Sequence, residues 1–124
     1  MNALRRLTPA LANGDAEFVL AARMWDGDVV FASGDDAIRM TVCDGRVIEV
    51  VPSASGASAQ IRIIATDDAW DKLLQPVPPP FYQDLFGAAA RHGVQLLGDP
   101  THVFPYYAAL RRLIELLRME GASS

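Results

Sequence analysis

Four of the chain's eight prolines stand within five residues, at positions 76, 78, 79 and 80. Proline lacks a backbone N–H and restricts the residue before it to extended conformations, so no helix can cross this stretch. The proline segment, residues 75–80, therefore separates two groups of regular elements. Most of the sequence before it alternates in hydrophobicity as strands do, and the sequence after it has helical spacing.

The first group is predicted to be a meander of five short antiparallel strands. Asp26-Gly27 and Asp44-Gly45 are sequences typical of two-residue hairpin turns, and Gly34-Asp35 supplies a further turn. A flexible loop, PSASGASA, is predicted over 52–59. The predicted strands are residues 17–25, 28–33, 37–43, 46–51 and 60–65.

The second group is predicted to be helical. Thr66 can cap a helix that carries Trp70 on its apolar face, and helices are predicted over 81–92 and from Pro105 to Gly121. The stretch VQLLG between these two helices is short enough for an edge strand, and a short helix is predicted over 3–12. Strands followed by helices predict an α+β fold, a five-stranded antiparallel sheet with helices packed on one face.

Length and composition limit the class of protein. We expect one domain over 1–124, with a helical arm at 1–14 and a flexible tail at 119–124. The net charge of −4 disfavours nucleic-acid binding, and the three arginines of the last helix are interpreted as a solvent-facing surface. A single cysteine, Cys43, and no apolar run of about 20 residues favour a cytoplasmic protein without disulfides.

Few side chains could carry out catalysis. Asp99 and His102 lie close together in sequence, and such a pair at the mouth of a pocket could act as a general base on a hydrophobic substrate. The alternative is that Asp99 caps the turn before Pro100. Two histidines without paired spacing predict no metal site, and the absence of a glycine-rich phosphate loop predicts no nucleotide cofactor.

Aromatic residues are concentrated in the helical part of the sequence. They either fill a solid core or leave an apolar cavity between the helices and the sheet, and small-molecule sites are commonly cavities of this kind. Stiff prolines suit the second interpretation because they hold a helix at a fixed distance. The residues concerned are Trp70, Phe81, Phe86, Phe104, Tyr106 and Tyr107.

The order of segments resembles the sterol carrier protein 2 (SCP2) family. The likeness covers about residues 15–118 and is carried by MTVCDGRVIEVVPSASGASAQIRIIATDDAWDKLL, then FGAAARHGVQLLGDP and a last apolar helix. The resemblance implies an SCP2-like fold with an apolar tunnel between sheet and helices for a lipid, a sterol or a fatty acyl-CoA. The helical residues that it implies for the tunnel wall are Phe81, Leu85, Phe86, Phe104, Tyr107 and Leu110.

Three hypotheses about function follow. The first is a carrier or sensor of a hydrophobic small molecule that needs no cofactor and no metal. The second is a small cofactor-free enzyme, an isomerase, cyclase or dehydratase, that uses His102 and Asp99 in the same pocket. The third is a protein-interaction module in which residues 76–87 form an exposed proline-aromatic patch that docks a partner. A homodimer and transient contact with a membrane surface or a partner enzyme are compatible with each, and no nucleic-acid partner is expected.

Overall fold

The computed structural model describes residues 2–123, which begin with short helices. A 3-10 helix spans Asn2–Arg6, α1 spans Pro9–Asn13 and α2 spans Ala16–Ala21. The helix predicted over 3–12 is divided because the Thr8 side chain caps α1 by accepting a hydrogen bond from the Leu11 N–H (3.2 Å). Proline at the first position of α1 suits this start, since its missing N–H would have no helical partner there.

The strand predicted over 17–25 is wrong, because α2 occupies this stretch. Asp15 caps α2 by accepting a hydrogen bond from the Phe18 N–H (2.9 Å), and Phe18 is fully buried. The segment is rich in Ala, Leu and Glu, which favour helices, and the capping carboxylate adds to that preference. Asp26-Gly27 is consequently no hairpin turn, and the first strand begins at Gly27.

The sheet has five strands in the order β3-β2-β1-β4-β5. The predicted turns at Gly34 and at Asp44-Gly45 are confirmed, and both residues of the latter have the positive φ that this turn requires (48° and 74°). The predicted edge strand VQLLG is confirmed as β5. The strands are β1 (Gly27–Ser33), β2 (Asp36–Cys43), β3 (Arg46–Ala54), β4 (Ile61–Ile64) and β5 (Gln95–Gly98).

The sheet is mostly antiparallel, which corrects the prediction of a wholly antiparallel one. β1 and β4 are parallel, whereas the other three neighbouring pairs are antiparallel. The reason is that β3 lies at one edge and β4 joins the sheet on the far side of β1. The chain must therefore return across the sheet between Ala54 and Ile61, which a simple meander does not do.

The returning chain, residues 55–60, is called the crossover segment. Arg39 Nη2 donates to the Ser58 carbonyl (2.9 Å), and Arg62 Nη2 donates to the Ser55 carbonyl (2.8 Å). Beneath it lie three buried residues, Val30, Ala32 and Ala37, on the outer sheet face. Side chains alternate between the two faces of a strand, so Val29 and Phe31 face the helices instead.

The remaining helices are α3 (Asp67–Leu73), α4 (Leu85–Arg91) and α5 (Pro100–Ser123). The predicted Thr66 cap is confirmed, since its hydroxyl accepts a hydrogen bond from the Ala69 N–H (3.1 Å). The predicted α+β class, with helices packed on one face of a five-stranded sheet, is also confirmed.

Both predicted helix starts after the prolines are wrong. α4 begins at Leu85 rather than at Phe81, because Phe81 has a φ of +66° and Asp84 is extended. α5 begins at Pro100, five residues before Pro105, and continues to Ser123 rather than ending at Gly121. The single domain and the flexible tail at 119–124 stay predictions, and Ser124 lies outside the described residues.

The helices and the inner face of the sheet enclose one main core. Two tryptophans are fully buried in it and have polar partners: Trp70 Nε1 donates to the Ala32 carbonyl (3.0 Å) and Trp25 Nε1 donates to Gln60 Oε1 (2.8 Å). Helix α5 supplies seven buried residues, which are Val103, Ala109, Leu110, Leu113, Ile114, Leu116 and Leu117. In the part of the chain that the structure describes, no helix is long and apolar enough to cross a membrane.

An ion pair joins α2 to α5. Arg112 Nε and Nη2 each donate to one carboxylate oxygen of Asp15, both at 2.9 Å, and Nη1 donates to Glu115 Oε2 (3.0 Å). The hydrogen bonds from Arg112, together with that from the Phe18 N–H, lower the pKa of Asp15 to about 2. Bidentate geometry of this kind is the strong form of a carboxylate–guanidinium contact.

We predict that Asp15→Asn destabilises the fold by about 1.5–3 kcal/mol at neutral pH, because hydrogen bonds to a charged group are lost. The pKa of Asp15 is lower in the folded protein than its value near 3.8 in the unfolded chain. The ionised carboxylate therefore stabilises the fold at pH values above about 4, and this stabilisation disappears as the pH falls from 4 towards 2. Urea denaturation at a series of pH values measures both effects.

The matched control is Asp71→Asn, which removes an exposed carboxylate from α3. Asp71→Asn should have the same free energy of unfolding at neutral pH as the unaltered protein, and that free energy should decrease below pH 4 as it does in the unaltered protein. Equal acid sensitivity of Asp15→Asn and the unchanged protein would contradict the assignment.

Candidate functional site

The connection between α3 and α4 is fastened to α5 by one arginine. Arg118 Nε donates to the Leu73 carbonyl (2.8 Å), and its Nη2 donates to the carbonyls of Tyr82 (2.8 Å) and Gln83 (3.1 Å). These carbonyls lie on both sides of the proline segment. The prolines supply stiffness, and Arg118 fixes where the stiff segment lies.

Stacked rings join this connection to the end of α4. Tyr82 is buried and stacks on His92 with ring centroids 3.9 Å apart, and His92 Nε2 is within hydrogen-bond distance of the Pro80 carbonyl (3.1 Å). Phe81 lies beside them with the Arg91 guanidinium 4.7 Å from its ring centroid. α4 is thus held against the connection at its carboxyl end.

Three aromatic residues form an exposed group between α4 and α5, which we call the aromatic cluster: Phe86, Phe104 and Tyr107. The Phe86 ring stacks on Tyr107 (centroids 4.3 Å apart) and lies 6.1 Å from Phe104. Exposed fractions are 42% for Phe86 and 65% for Phe104, which is high for large apolar side chains. Exposed apolar residues that adjoin one another are typical of interaction and ligand sites.

A carboxylate and a phenol lie at the base of the aromatic cluster. Tyr107 donates its hydroxyl proton to Asp84 Oδ1, and the same hydroxyl oxygen accepts a hydrogen bond from the Phe86 N–H (3.4 Å). Burial, and next the hydrogen bond to Asp84, raise the pKa of the Tyr107 phenol well above its usual value. Asp84 precedes α4 but makes no side-chain hydrogen bond to its backbone, so Tyr107 from α5 replaces the usual cap.

The structure brings together only some of the residues predicted for the tunnel wall. Phe86, Phe104 and Tyr107 meet in the aromatic cluster, whereas Phe81 packs on Arg91 at another face of α4. Leu85 and Leu110 are buried in the main core, each only 1% exposed.

Open recesses on the described surface lie away from these six residues. One is lined by Pro76, Glu115, Arg118 and Met119 beside the proline segment, and three others lie near the strand turns and α2. None of these four recesses includes one of the six helical residues predicted for the tunnel wall. The tunnel therefore stays a prediction.

Asp99 and His102, the acid–base pair predicted from the sequence, do not have their side chains hydrogen-bonded to each other as such a pair would. The Asp99 carboxylate accepts two hydrogen bonds from Thr101, from its N–H (3.0 Å) and its hydroxyl (2.9 Å), at the start of α5. These hydrogen bonds lower the pKa of Asp99. The His102 N–H donates to the Asp99 carbonyl (2.8 Å), but within residues 2–123 no hydrogen bond joins the two side chains. No cluster of His, Cys, Asp and Glu in these residues is arranged to hold a metal ion.

Sequence reasoning missed Arg118 and Asp84. The arginines of α5 were interpreted as solvent-facing, but Arg112 and Arg118 are partly buried and bonded to other elements. Spacing on the helix offers a partial signal, because positions 110, 114 and 117 are apolar and 118 adjoins their face. For Asp84 no local pattern indicates Tyr107 as its partner.

We predict that Arg118→Met loosens the connection between α3 and α4 and lowers stability by about 1–3 kcal/mol, because three carbonyls lose a charged donor. Hydrogen exchange followed by mass spectrometry should show faster exchange in residues 74–84 and little change in β1 and β2.

Arg111→Met serves as the control, since Arg111 is exposed and pairs with Glu115 on its own helix (3.8 Å) rather than with the connection. Equal exchange of residues 74–84 in the two variants would show that Arg118 does not hold this connection.

Comparison with solved structures identifies the fold. Crystalline sterol carrier protein 2 is 21% identical, with a TM-score of 0.71 over 94% of this chain and 92% of that one. A Thermus thermophilus protein described as possibly a sterol carrier protein is 20% identical (TM-score 0.66; 90% and 81%). The UbiJ-SCP2 ubiquinone synthesis protein is 13% identical (TM-score 0.52; 89% and 82%).

No family model and no curated protein sequence matches this chain. The likeness is one of structure, and it extends over nearly the whole of the chain. The resemblance inferred from the order of segments is thereby confirmed for the fold: this chain folds as sterol carrier protein 2 does.

Proposed function

We propose that this protein binds a hydrophobic small molecule, of the lipid, sterol, steroid or fatty acyl-CoA type, and acts as its carrier or sensor. The observation that carries the proposal is the aromatic cluster, where Phe86 and Phe104 present ring surface to solvent. The fold supports it, because two structurally similar proteins are described as a sterol carrier or possible sterol carrier.

Aromatic rings suit the recognition of a flat or elongated apolar ligand. Offset stacking adds to the gain from removing apolar surface from water, and rigid rings lose little conformational entropy on binding. A ligand that buries about 400 Å² of apolar surface gains roughly 10 kcal/mol before the costs of association, at about 25 cal/mol per Å². After those costs the expected dissociation constant is on the order of micromolar to nanomolar.

Movement of α4 would extend the site inward. α4 has seven residues, too few for an isolated helix to be stable in water, so its position depends on contacts from Tyr107, His92 and the connection held by Arg118. Leu85 of α4 and Leu110 of α5 are buried in the main core and would contact a ligand once α4 separates from α5. In this proposal Phe81, which precedes α4 and packs on its Arg91, lies at the edge of the opening.

Mass spectrometry of an organic-solvent extract of the purified protein tests for a bound ligand. We expect a hydrophobic compound in amounts comparable to the protein. In titrations with a fluorescent sterol and a fluorescent fatty acid, Phe86→Ala combined with Phe104→Ala should weaken binding about tenfold or more, because central aromatic contacts dominate affinity.

Ile48→Ala is the matched control, because Ile48 is a similarly exposed apolar residue (60%) on β3. An empty protein that binds neither probe, or equal affinity in the control and the double variant, would contradict the proposal.

A second candidate function rests on the exposure of the proline segment. Val77 is 84% exposed and Phe81 is 49% exposed, so this surface could dock a protein partner instead. Association that depends on protein concentration and is lost in Phe81→Asp, in protein free of extractable ligand, would favour this alternative.

A further inference from the structure

The polar side-chain atoms at the base of the aromatic cluster are arranged as acceptors. The Tyr107 hydroxyl proton is already given to Asp84 Oδ1, and the Tyr107 oxygen receives the Phe86 N–H. An ionised carboxylate can only accept hydrogen bonds. Asp84 Oδ2 makes no hydrogen bond with any group in the described part of the chain, so it retains the capacity to accept one.

The nearby cations have other partners. Arg111 lies one helical turn after Tyr107 and its Nε is 3.8 Å from Glu115 Oε1. Arg118 donates to the carbonyls of Leu73, Tyr82 and Gln83. Neither of these arginines contacts Asp84 Oδ2 in this way, and that oxygen remains an unused acceptor beside the cluster.

We propose that the Asp84–Tyr107 pair makes this site selective for ligands with a hydrogen-bond donor, above all an alcohol, over the matching ether or carboxylate. The inference rests on the proposed function, because it concerns the same site. Apolar rings of the ligand would stack on Phe86 and Phe104 while its hydroxyl donates to Asp84 Oδ2.

The selectivity follows from what each ligand does to the carboxylate. A bound alcohol replaces the water that Asp84 loses, whereas an ether covers the carboxylate and leaves it without a donor. A ligand carboxylate, ionised at neutral pH, offers no donor and places a second negative charge beside Asp84. A site that hydrogen-bonds a ligand hydroxyl rejects analogues without it. Because the cluster is partly exposed, we expect the alcohol to be preferred about tenfold, which corresponds to the lower end of the range for a hydrogen bond to a charged group.

Three pyrene probes that share one ring system test the proposal: 1-pyrenebutanol, its methyl ether and 1-pyrenebutyric acid. Their dissociation constants are measured by pyrene fluorescence with the full chain at neutral pH. We expect the alcohol to bind about tenfold more tightly than either of the others. This comparison uses the unaltered protein and does not depend on the folding of a variant.

Asp84→Asn then assigns the preference to this residue. The asparagine amide keeps an acceptor for Tyr107 and places a donor where Oδ2 was, so the preference for the alcohol should vanish or reverse. Asp71→Asn makes the same chemical change at an exposed position of α3 and should keep the preference. Circular dichroism tests whether both variants remain folded.

The outcomes separate this inference from the proposed function. Equal affinities for the three probes, tighter binding of the acid, or an unchanged preference in Asp84→Asn would overturn the inference while leaving a hydrophobic ligand site intact. Failure of all three probes to bind would overturn both. If Asp84→Asn does not fold, the probe comparison on the unaltered protein still decides whether the donor is selected.

Discussion

Burial of one face of α5 in the main core is the constraint on which the other elements depend. Its apolar residues, among them Leu113, Ile114 and Leu117, form much of the main core. Its polar side chains then fix three separate parts of the chain. Arg112 binds the cap of α2, Tyr107 binds the start of α4, and Arg118 binds the connection around the proline segment. If α5 shifted along its axis, all three contacts would break together. The packing of the core and these polar contacts therefore depend on the same helix.

This arrangement makes α4 stable only through contacts with its neighbours. The helix is short, its own Asp84 does not cap it, and its carboxyl end is held by the stacked pair of Tyr82 and His92. Elements held mainly by side-chain contacts open at lower free energy than strands in the middle of a sheet. The exposed rings of the aromatic cluster therefore lie beside a helix whose position depends on its neighbours, although its Leu85 and Ala88 belong to the main core.

Local signals predicted the fold well where they act over a few residues. The Thr66 cap, the Asp44-Gly45 turn and the strand predicted over 37–43 each involve neighbours in sequence, and all three are present in the structure. The failures involve partners far apart in the chain. Asp15 starts a helix that is held by Arg112, 97 residues later, and β4 pairs in parallel with β1 because of a return path that no local pattern encodes. The aromatic residues of the candidate site could be predicted because they are concentrated in one part of the sequence. Asp84 could not be predicted, because its role depends on a contact with Tyr107, 23 residues later.

The crossover segment accounts for the small side chains between β3 and β4. It must pass over β2 and β1, about 14 Å at the usual strand spacing, and also return from the level of Ser33 to that of Val29, about 13 Å along the strands. The diagonal is about 20 Å, and the seven steps from Ala54 to Ile61 reach at most about 25 Å. The segment begins with a turn, in which the Ala57 N–H donates to the Ala54 carbonyl (3.0 Å). Serine, alanine and glycine then let it lie flat on Val30 and Ala32. Shortening it by two residues would leave β4 unable to reach its place beside β1, so evolution can lengthen this link far more readily than trim it.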